Sequence, residues 1–406
     1  MTTGASVTGL GATTPLGGDV ASTWAAMLEG RSGISLIEDD WAHDLPVRIA
    51  GRMRVDPAEV LGRVKARRLD RCQQAALVAA QQAWADAGAP EVEPERLAVV
   101  IGTGVGGMLT TLAQDDLMEA DGPKKVSPYT VPMLMPNGPA ATVSIEFGAK
   151  GGAHTPVSAC ASGAEAIAMG LDLIRLGRAD VVIAGGAEAC VHPLTLAGFA
   201  QARALSRRND APQEASRPFD AGRDGFVLGE GAAVVVLERE GFAAARVGQG
   251  GARVHATLAG AGTTSDAHHI TAADSAGQVR AMRLALASAE LSPLEVGHVN
   301  AHATSTPSGD LTETLSITKA LGTHPAVTAT KSMTGHMCGA AGAMGAIATI
   351  LALRDGVVPA TVNVDDLDPE VKLDVVIGGP RQGGWTAAMT NSFGFGGHNA
   401  SLAFIR

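Results

Sequence analysis

The same local pattern occurs twice in this chain, and it limits the fold more than any other feature. At Val157-Ser158-Ala159-Cys160 a short apolar segment turns on small residues into an Ala-rich helical run reaching about Leu176. At Thr330-Lys331-Ser332 a second apolar segment turns into a Gly-Ala-rich helical run over residues 342–353. Around each corner lie apolar stretches of strand length: residues 5–10, 97–102, 180–185 and 232–237 in one half, and 254–261, 296–301, 326–330 and 386–390 in the other. The run at 97–102 is apolar without alternation, as in a strand buried on both faces of a parallel sheet. Helical spacing falls between the strands, at 20–28, 63–88, 142–147, 276–289 and 307–321. Strands alternating with helices predict an α/β protein. The echo between the halves predicts two units, 1–248 and 249–406, related by duplication and meeting near residues 248–251. Residues 116–139, with five prolines, read as an irregular excursion over the core at a subunit interface.

With 406 residues, 46% hydrophobic and 18% charged, the chain has the material for a large core. A formal net charge of -10 argues against a nucleic-acid binder. Four widely spaced cysteines without a CxxC pair make a structural zinc site unexpected and fit a reducing cytoplasm. Residues 1–6 carry no basic region and no apolar core, so they do not read as a secretory signal. Residues 332–353 are free of Asp, Glu and Arg and have the length of a membrane span. Their Gly and Ala content favours a buried helix after a glycine-rich turn.

Chemistry concentrates at the corners. Cys160 stands where a strand turns into a helix, and a helix N-terminus favours a thiolate. Ala159, Ala161, Ser162 and Gly163 leave room for an electrophile. His302 follows the strand at 296–301, and His336 follows the second corner in Lys331-Ser332-Met333-Thr334-Gly335-His336. Ends of parallel strands are where α/β proteins bind ligands. Residues 391–399, Asn-Ser-Phe-Gly-Phe-Gly-Gly-His-Asn, read as a glycine-rich loop after the last strand.

Taken together, VSACASG around Cys160, HATSTPSGD from His302, KSMTGH from Lys331 and NSFGFGG from Asn391 resemble the elongating β-ketoacyl-acyl-carrier-protein synthases of the Cys-His-His type. The likeness is to synthase II of dissociated fatty acid synthesis, within the thiolase superfamily, and it spans nearly the whole chain. The stretches DGPKKVSP at 121–128 and MPNG at 135–138 resemble the condensing enzymes that extend chains toward mycolic acids. The resemblance implies a thiolase-like fold of α-β-α-β-α layers and a cytoplasmic homodimer. It also implies a decarboxylative Claisen condensation. Cys160 takes an acyl group from acyl-carrier protein, and malonyl-carrier protein loses CO2 and attacks that thioester. No resident cofactor or metal is implied, since the substrates bring their own phosphopantetheine.

The resemblance assigns His302 and His336 to the enolate, Lys331 to the same site with Asp310 and Glu313 as its acidic partners, and the amides of Cys160 and Phe395 to an oxyanion hole. Phe395 is implied as a gate between the half-reactions, and Thr304 and Thr306 as pantetheine partners. Carrier proteins are acidic, so Lys65, Arg67, Arg68, Arg71, Lys124, Lys125, Arg203, Arg207 and Arg208 are candidates for docking. Val105 and residues 133–135 are candidates for the acyl pocket. Two positions depart from the family pattern: Gly345 replaces a glutamate, and Ala303 replaces a glycine. A thiolase would need a second cysteine in 391–399, an initiating synthase an asparagine in place of His336, and a chain-length-factor-like partner would lack Cys160. A cysteine protease would not share these motifs. A polyketide ketosynthase or a resistance-type paralogue uses the same residues and stays open.

Overall fold

In the computed structural model, which describes residues 4–248, 250 and 253–406, the apolar runs join into one mixed sheet of eleven strands. The first half runs β1 (Ala5–Thr13), α1 (Arg71–Asp86), β2 (Leu97–Gly102), α2 (Gly138–Phe147), β3 (Ala153–His154), α3 (Ser162–Arg175), β4 (Val181–Glu188) and β5 (Gly231–Arg239). The second runs β6 (Ala256–Ser265), α4 (Ser275–Ala289), β7 (Val296–Asn300), α5 (Pro307–Ala320), β8 (Ala326–Thr328) and α6 (Ala341–Asp355). It closes with β9 (Asp374–Val375), β10 (Ala387–Gly394) and β11 (His398–Ile405).

The pairing repeats with the chain order. In the first half β1 is antiparallel to β5 and β5 to β4, while β4, β2 and β3 run parallel. In the second, β6 is antiparallel to β11 and β11 to β10, while β10, β7 and β8 run parallel. β9 is an extra edge strand. The halves join where β1 and β6 pair, Ala5 opposite Leu258 and Val7 opposite Ala256.

Side-chain alternation along the strands builds the layers. On β4, Val182 and Ala184 face the apolar cluster that contains α3 and α6, while Val181 and Ile183 face the one that contains α1. On β10, Ala388 faces α6 and Met389 faces α4 and α5. α3 and α6 therefore lie between the two sheet halves, giving the five α-β-α-β-α layers. Ile167, Leu171, Ile347 and Ile350 are fully buried there, each worth roughly 1.5–3 kcal/mol of transfer free energy. A helix apolar all round belongs in such a centre. The stretch Cys338–Asp355 is long and apolar enough to cross a membrane, but 83% of it is buried inside the protein.

Several local expectations are corrected. Residues 63–88 are not one helix: a short helix Arg63–Ala66 ends, and α1 starts afresh because Asp70 caps it in a capping box with Gln73. Residues 116–139 are not irregular. Helices Met108–Asp121 and Thr130–Leu134 fill much of the stretch, and α2 starts at Gly138 with Pro139 in its first turn, where a missing N–H costs nothing. The loop at 391–399 is the β10–β11 hairpin, turning at residues 395–397 with Gly396 at φ 84° and Gly397 at φ 76°. Before the junction near 248–251 stands a helix, Glu240–Gly248. Residues 249 and 251 of that junction, and residues 1–3, lie outside the described residues.

Candidate active site

Four chain segments converge at the strand ends. The Cys160 corner after β3 is a 3₁₀ turn, Ala159–Ala161, that runs into α3. Ala159 takes φ 50°, a left-handed conformation that costs a residue with a Cβ about 1 kcal/mol. Such strain persists where the surroundings over-determine it. Here Ser162 Oγ accepts from Ser158 N at 2.9 Å, and Ser392 Oγ on β10 donates to Cys160 O at 2.7 Å. The matching corner after β8 is a short helix, Lys331–Thr334, followed by His336 and the turn Cys338–Ala340 before α6.

This brings His336 Nε2 to 2.9 Å from Cys160 Sγ. The His302 and His336 rings meet edge to face, with centroids 5.4 Å apart, and His302 also touches Phe393 at 5.8 Å. Phe226 also meets the His336 ring edge to face, with centroids 5.4 Å apart. Nδ1 of both histidines is buried without a hydrogen-bond partner. Burial, with the Lys331 cation adding to it, holds His336 down near pKa about 3 and His302 well below its usual range. Both rings are therefore neutral at physiological pH.

The thiolate expected of Cys160 is corrected here. Burial and the neighbouring Cys338 push its thiol up, against the opposing pull of Lys331 and of the Phe395 N–H, which donates to it. Cys160 sits in the 3₁₀ turn ahead of α3, and desolvation of the anion outweighs the helix terminus. The resting pair is a thiol beside a neutral imidazole.

Lys331 is 5% exposed, and burial lowers it to about 8 despite the fields of Glu313, Cys160 and Asp310. Glu313 is held by the N–H groups of His302 at 2.8 Å and Ala303 at 2.6 Å, and by Asn391 Nδ2 at 3.2 Å. Asp310 accepts from Phe219 N at 3.0 Å and Ser305 N at 3.1 Å, lies 3.7 Å from Arg223 Nε, and is raised by burial to about 7. Thr304 and Thr306 share a hydroxyl contact at 3.1 Å beside this strand end. Asn391 and Ser392, not singled out beforehand, lie within a motif that was.

The two departures have structural counterparts. A Cβ on Gly345 would lie 2.7 Å from both Asn300 Nδ2 and Thr390 Oγ1. Asn300 also accepts from Thr330 Oγ1 at 3.3 Å, so a neutral polar network borders the backbone at this position. The methyl of Ala303 is 1% exposed and joins the apolar cluster of Phe219 and Ile317.

The basic candidates separate by their partners. Arg71 is structural, bound to Asp56 at 2.8 Å and to buried Glu230 at 2.7 Å. Lys65 pairs with Glu146 at 2.6 Å, Arg68 lies over Tyr129 at 5.4 Å, and Arg208 donates to Gly222 O at 2.8 Å. Arg67, Lys124, Lys125, Arg203 and Arg207 are exposed. Lys65 and Arg68 border an open groove of about 610 Å³ with an apolar floor from Leu61, Val64, Leu69 and Ile145. Val105 and Met135 are partly exposed. No cluster of three or more His, Cys, Asp or Glu suited to a metal occurs among the described residues.

Comparison with known proteins agrees with this geometry. Residues 5–243 match the model of the beta-ketoacyl synthase N-terminal domain, and residues 255–365 that of the C-terminal domain. The chain is 48% identical to 3-oxoacyl-[acyl-carrier-protein] synthase 2 of Mycobacterium tuberculosis, over 98% of this chain and 96% of the relative. It is 44% identical to the protein of the same name from Synechocystis, over 98% and 97%. A beta-ketoacyl synthase from Burkholderia phymatum superposes with TM-score 0.91 at 36% identity, covering 100% of this chain and 99% of that one. A type II polyketide ketosynthase, solved in complex with its acyl-carrier protein, superposes with TM-score 0.90 at 28% identity, covering 100% and 99%.

Proposed function

We propose the working of this site from one premise: the chain belongs to the β-ketoacyl synthase family. It is an acyltransferase, an elongating condensing enzyme of fatty acid synthesis that joins an acyl chain to malonyl-acyl-carrier protein with loss of CO2. The higher identity to fatty acid synthases than to the polyketide ketosynthase favours that pathway.

In our reading Cys160 is the acylated residue. Its sulfur attacks the incoming thioester as His336 Nε2, 2.9 Å away, takes the proton. The new S–acyl bond forms, the old thioester breaks, and the pantetheine thiol leaves with that proton. The N–H groups of Cys160 and Phe395 hold the oxyanion. In the second half-reaction the bond to the malonyl carboxylate breaks and its electron pair moves onto the thioester oxygen as an enolate. Neutral His302 and His336 can each donate one N–H to it, and Lys331 adds a positive field. The enolate carbon then attacks the Cys160 thioester, the C–S bond breaks, and the sulfur departs as a thiolate that takes a proton from solvent by way of His336 Nε2. Phe395 gates the two steps from the turn of the β10–β11 hairpin. Thr304 and Thr306 hold the pantetheine amides, and the enzyme itself needs no resident cofactor.

The Lys65–Arg68 groove suits an acidic helix with an apolar face, as a carrier protein presents, and Lys124, Lys125, Arg207 and Arg208 extend the positive field. We read the protein as a cytoplasmic homodimer whose two halves, 1–248 and 249–406, stem from one duplication. The observation that carries the reading is the contact of Cys160 Sγ with His336 Nε2 beside His302. Incubation with acyl-carrier proteins of several chain lengths, followed by peptide mass spectrometry, tests it. The acyl group is expected on residue 160, and an adduct elsewhere would overturn the assignment.

A further inference from the structure

Glu188, the last residue of β4, is fully buried, and the chemistry above does not use it. No cation lies within ion-pair distance of it among the described residues. Its partners are four donors. Oε1 accepts from Thr103 Oγ1 at 2.9 Å and Val105 N at 3.3 Å. Oε2 accepts from Gly104 N at 2.7 Å and Gly339 N at 3.0 Å. Burial pushes the Glu188 carboxyl up, while the three backbone N–H groups and the Thr103 hydroxyl pull it down and favour the ionised form.

Three of the donors belong to the turn after β2. That turn buttresses the Cys160 corner, because Ser162 Oγ donates to Thr103 O at 3.1 Å and Thr103 N donates to Pro156 O at 3.3 Å. The fourth donor lies in the turn between His336 and α6. Space is as tight as the bonding. A Cβ on Gly104 would stand 2.6 Å from Glu188 Oε2, and one on Gly339 would stand 2.6 Å from Gly104 N. One carboxylate thus fastens together the two turns that flank the sulfur.

We propose that Glu188 is a positioning residue for acyl loading, holding the turn after β2 and the turn after His336 in register with Cys160. This rests on the reading of Cys160 as the acylated residue. The groups acting on the Cys160 sulfur are Glu188 and Cys338, which oppose ionisation, and Lys331 and the Phe395 N–H, which favour it, with His302 and His336 neutral. Removing the Glu188 charge therefore makes the thiol easier to ionise while loosening the corner, two effects of opposite sign on two assays.

Glu188→Gln keeps the volume, removes the charge and sets an amide against two of the donors. The expected result is acyl loading from octanoyl-carrier protein slowed about tenfold or more. Iodoacetamide alkylation of residue 160 is expected to be up to about tenfold faster between pH 7 and 9. Loading within twofold of the parent, or alkylation slowed in step with loading, overturns the proposal. If that variant does not fold, Thr103→Val removes one donor and keeps the charge. Loading slowed severalfold with alkylation unchanged supports the proposal, and unchanged loading overturns it. If the parent proves to be acylated elsewhere, the Cys160 reading fails on that result alone, and the alkylation assay still reports on Glu188.

Discussion

Burial acts on every ionisable group around Cys160, and at this scale it decides which charges stand at the resting site. His302 and His336 are neutral there, and His336 carries a second proton only while it relays the Cys160 proton. Two buried groups titrate near neutral pH instead, Asp310, raised to about 7, and Lys331, lowered to about 8, and only Lys331 carries positive charge. It is a cation below that pH and loses its charge above it, and the positive field is what favours the enolate. Malonyl decarboxylation should therefore fall on the alkaline side of about pH 8, and a rate-versus-pH profile showing no descending limb up to pH 9.5 would exclude Lys331 from that role. His302→Ala should slow decarboxylation by roughly 10²–10³, the usual cost of one oxyanion donor, while leaving Cys160 able to accept an acyl group. The side-chain types at the site were legible in the sequence because they sit at strand ends in dense motifs. The state of Cys160 was not. A helix start is visible in a sequence, but the burial that outweighs it, and the added fields of Cys338 and Glu188, arise only where distant segments fold together.

At the level of elements, the β10–β11 hairpin brings Phe395 to the sulfur, and Gly394 sets how close it comes. A Cβ there would lie 2.5 Å from Ser158 O and 3.1 Å from Cys160 N. Gly394→Val should push the hairpin off the Cys160 corner, lowering condensation at least tenfold and costing about 1–3 kcal/mol of stability. Condensation assays and thermal melts of the variant test both. The hairpin was hidden in the sequence because its turn is rich in glycine and β11 begins with His-Asn-Ala-Ser, residues with weak strand preference. The break before α1 was hidden for a different reason. Helical spacing continues through residues 63–88, and only the cap by Asp70 shows that the chain restarts. β2, buried on both faces, was legible to the residue because an unbroken apolar run has few other homes, whereas β4 and β5 run past the ends read for them.

For the whole molecule, the repeated corner was the readable sign of the architecture, and the two corners meet at the starts of α3 and α6, where Cys160 Sγ and His336 Nε2 lie 2.9 Å apart. The proposed docking face was less legible, since charge alone does not separate Arg71, which is tied into the fold, from exposed Arg207. Replacing Arg68 and Arg207 together with glutamate should raise KM for carrier-bound acyl groups about tenfold and leave small thioester analogues unaffected. An equal change for both substrates would remove the patch from docking. The proposed mechanism also divides the chemistry: in it the first half supplies the sulfur that holds the acyl chain, and the second supplies His302, Lys331 and His336 for the enolate. The most direct test of that division is CO2 release from malonyl-acyl-carrier protein by Cys160→Gln, measured alongside acyl loading. The account predicts that loading is abolished while CO2 release persists, whereas loss of CO2 release together with loading in a folded variant would contradict it.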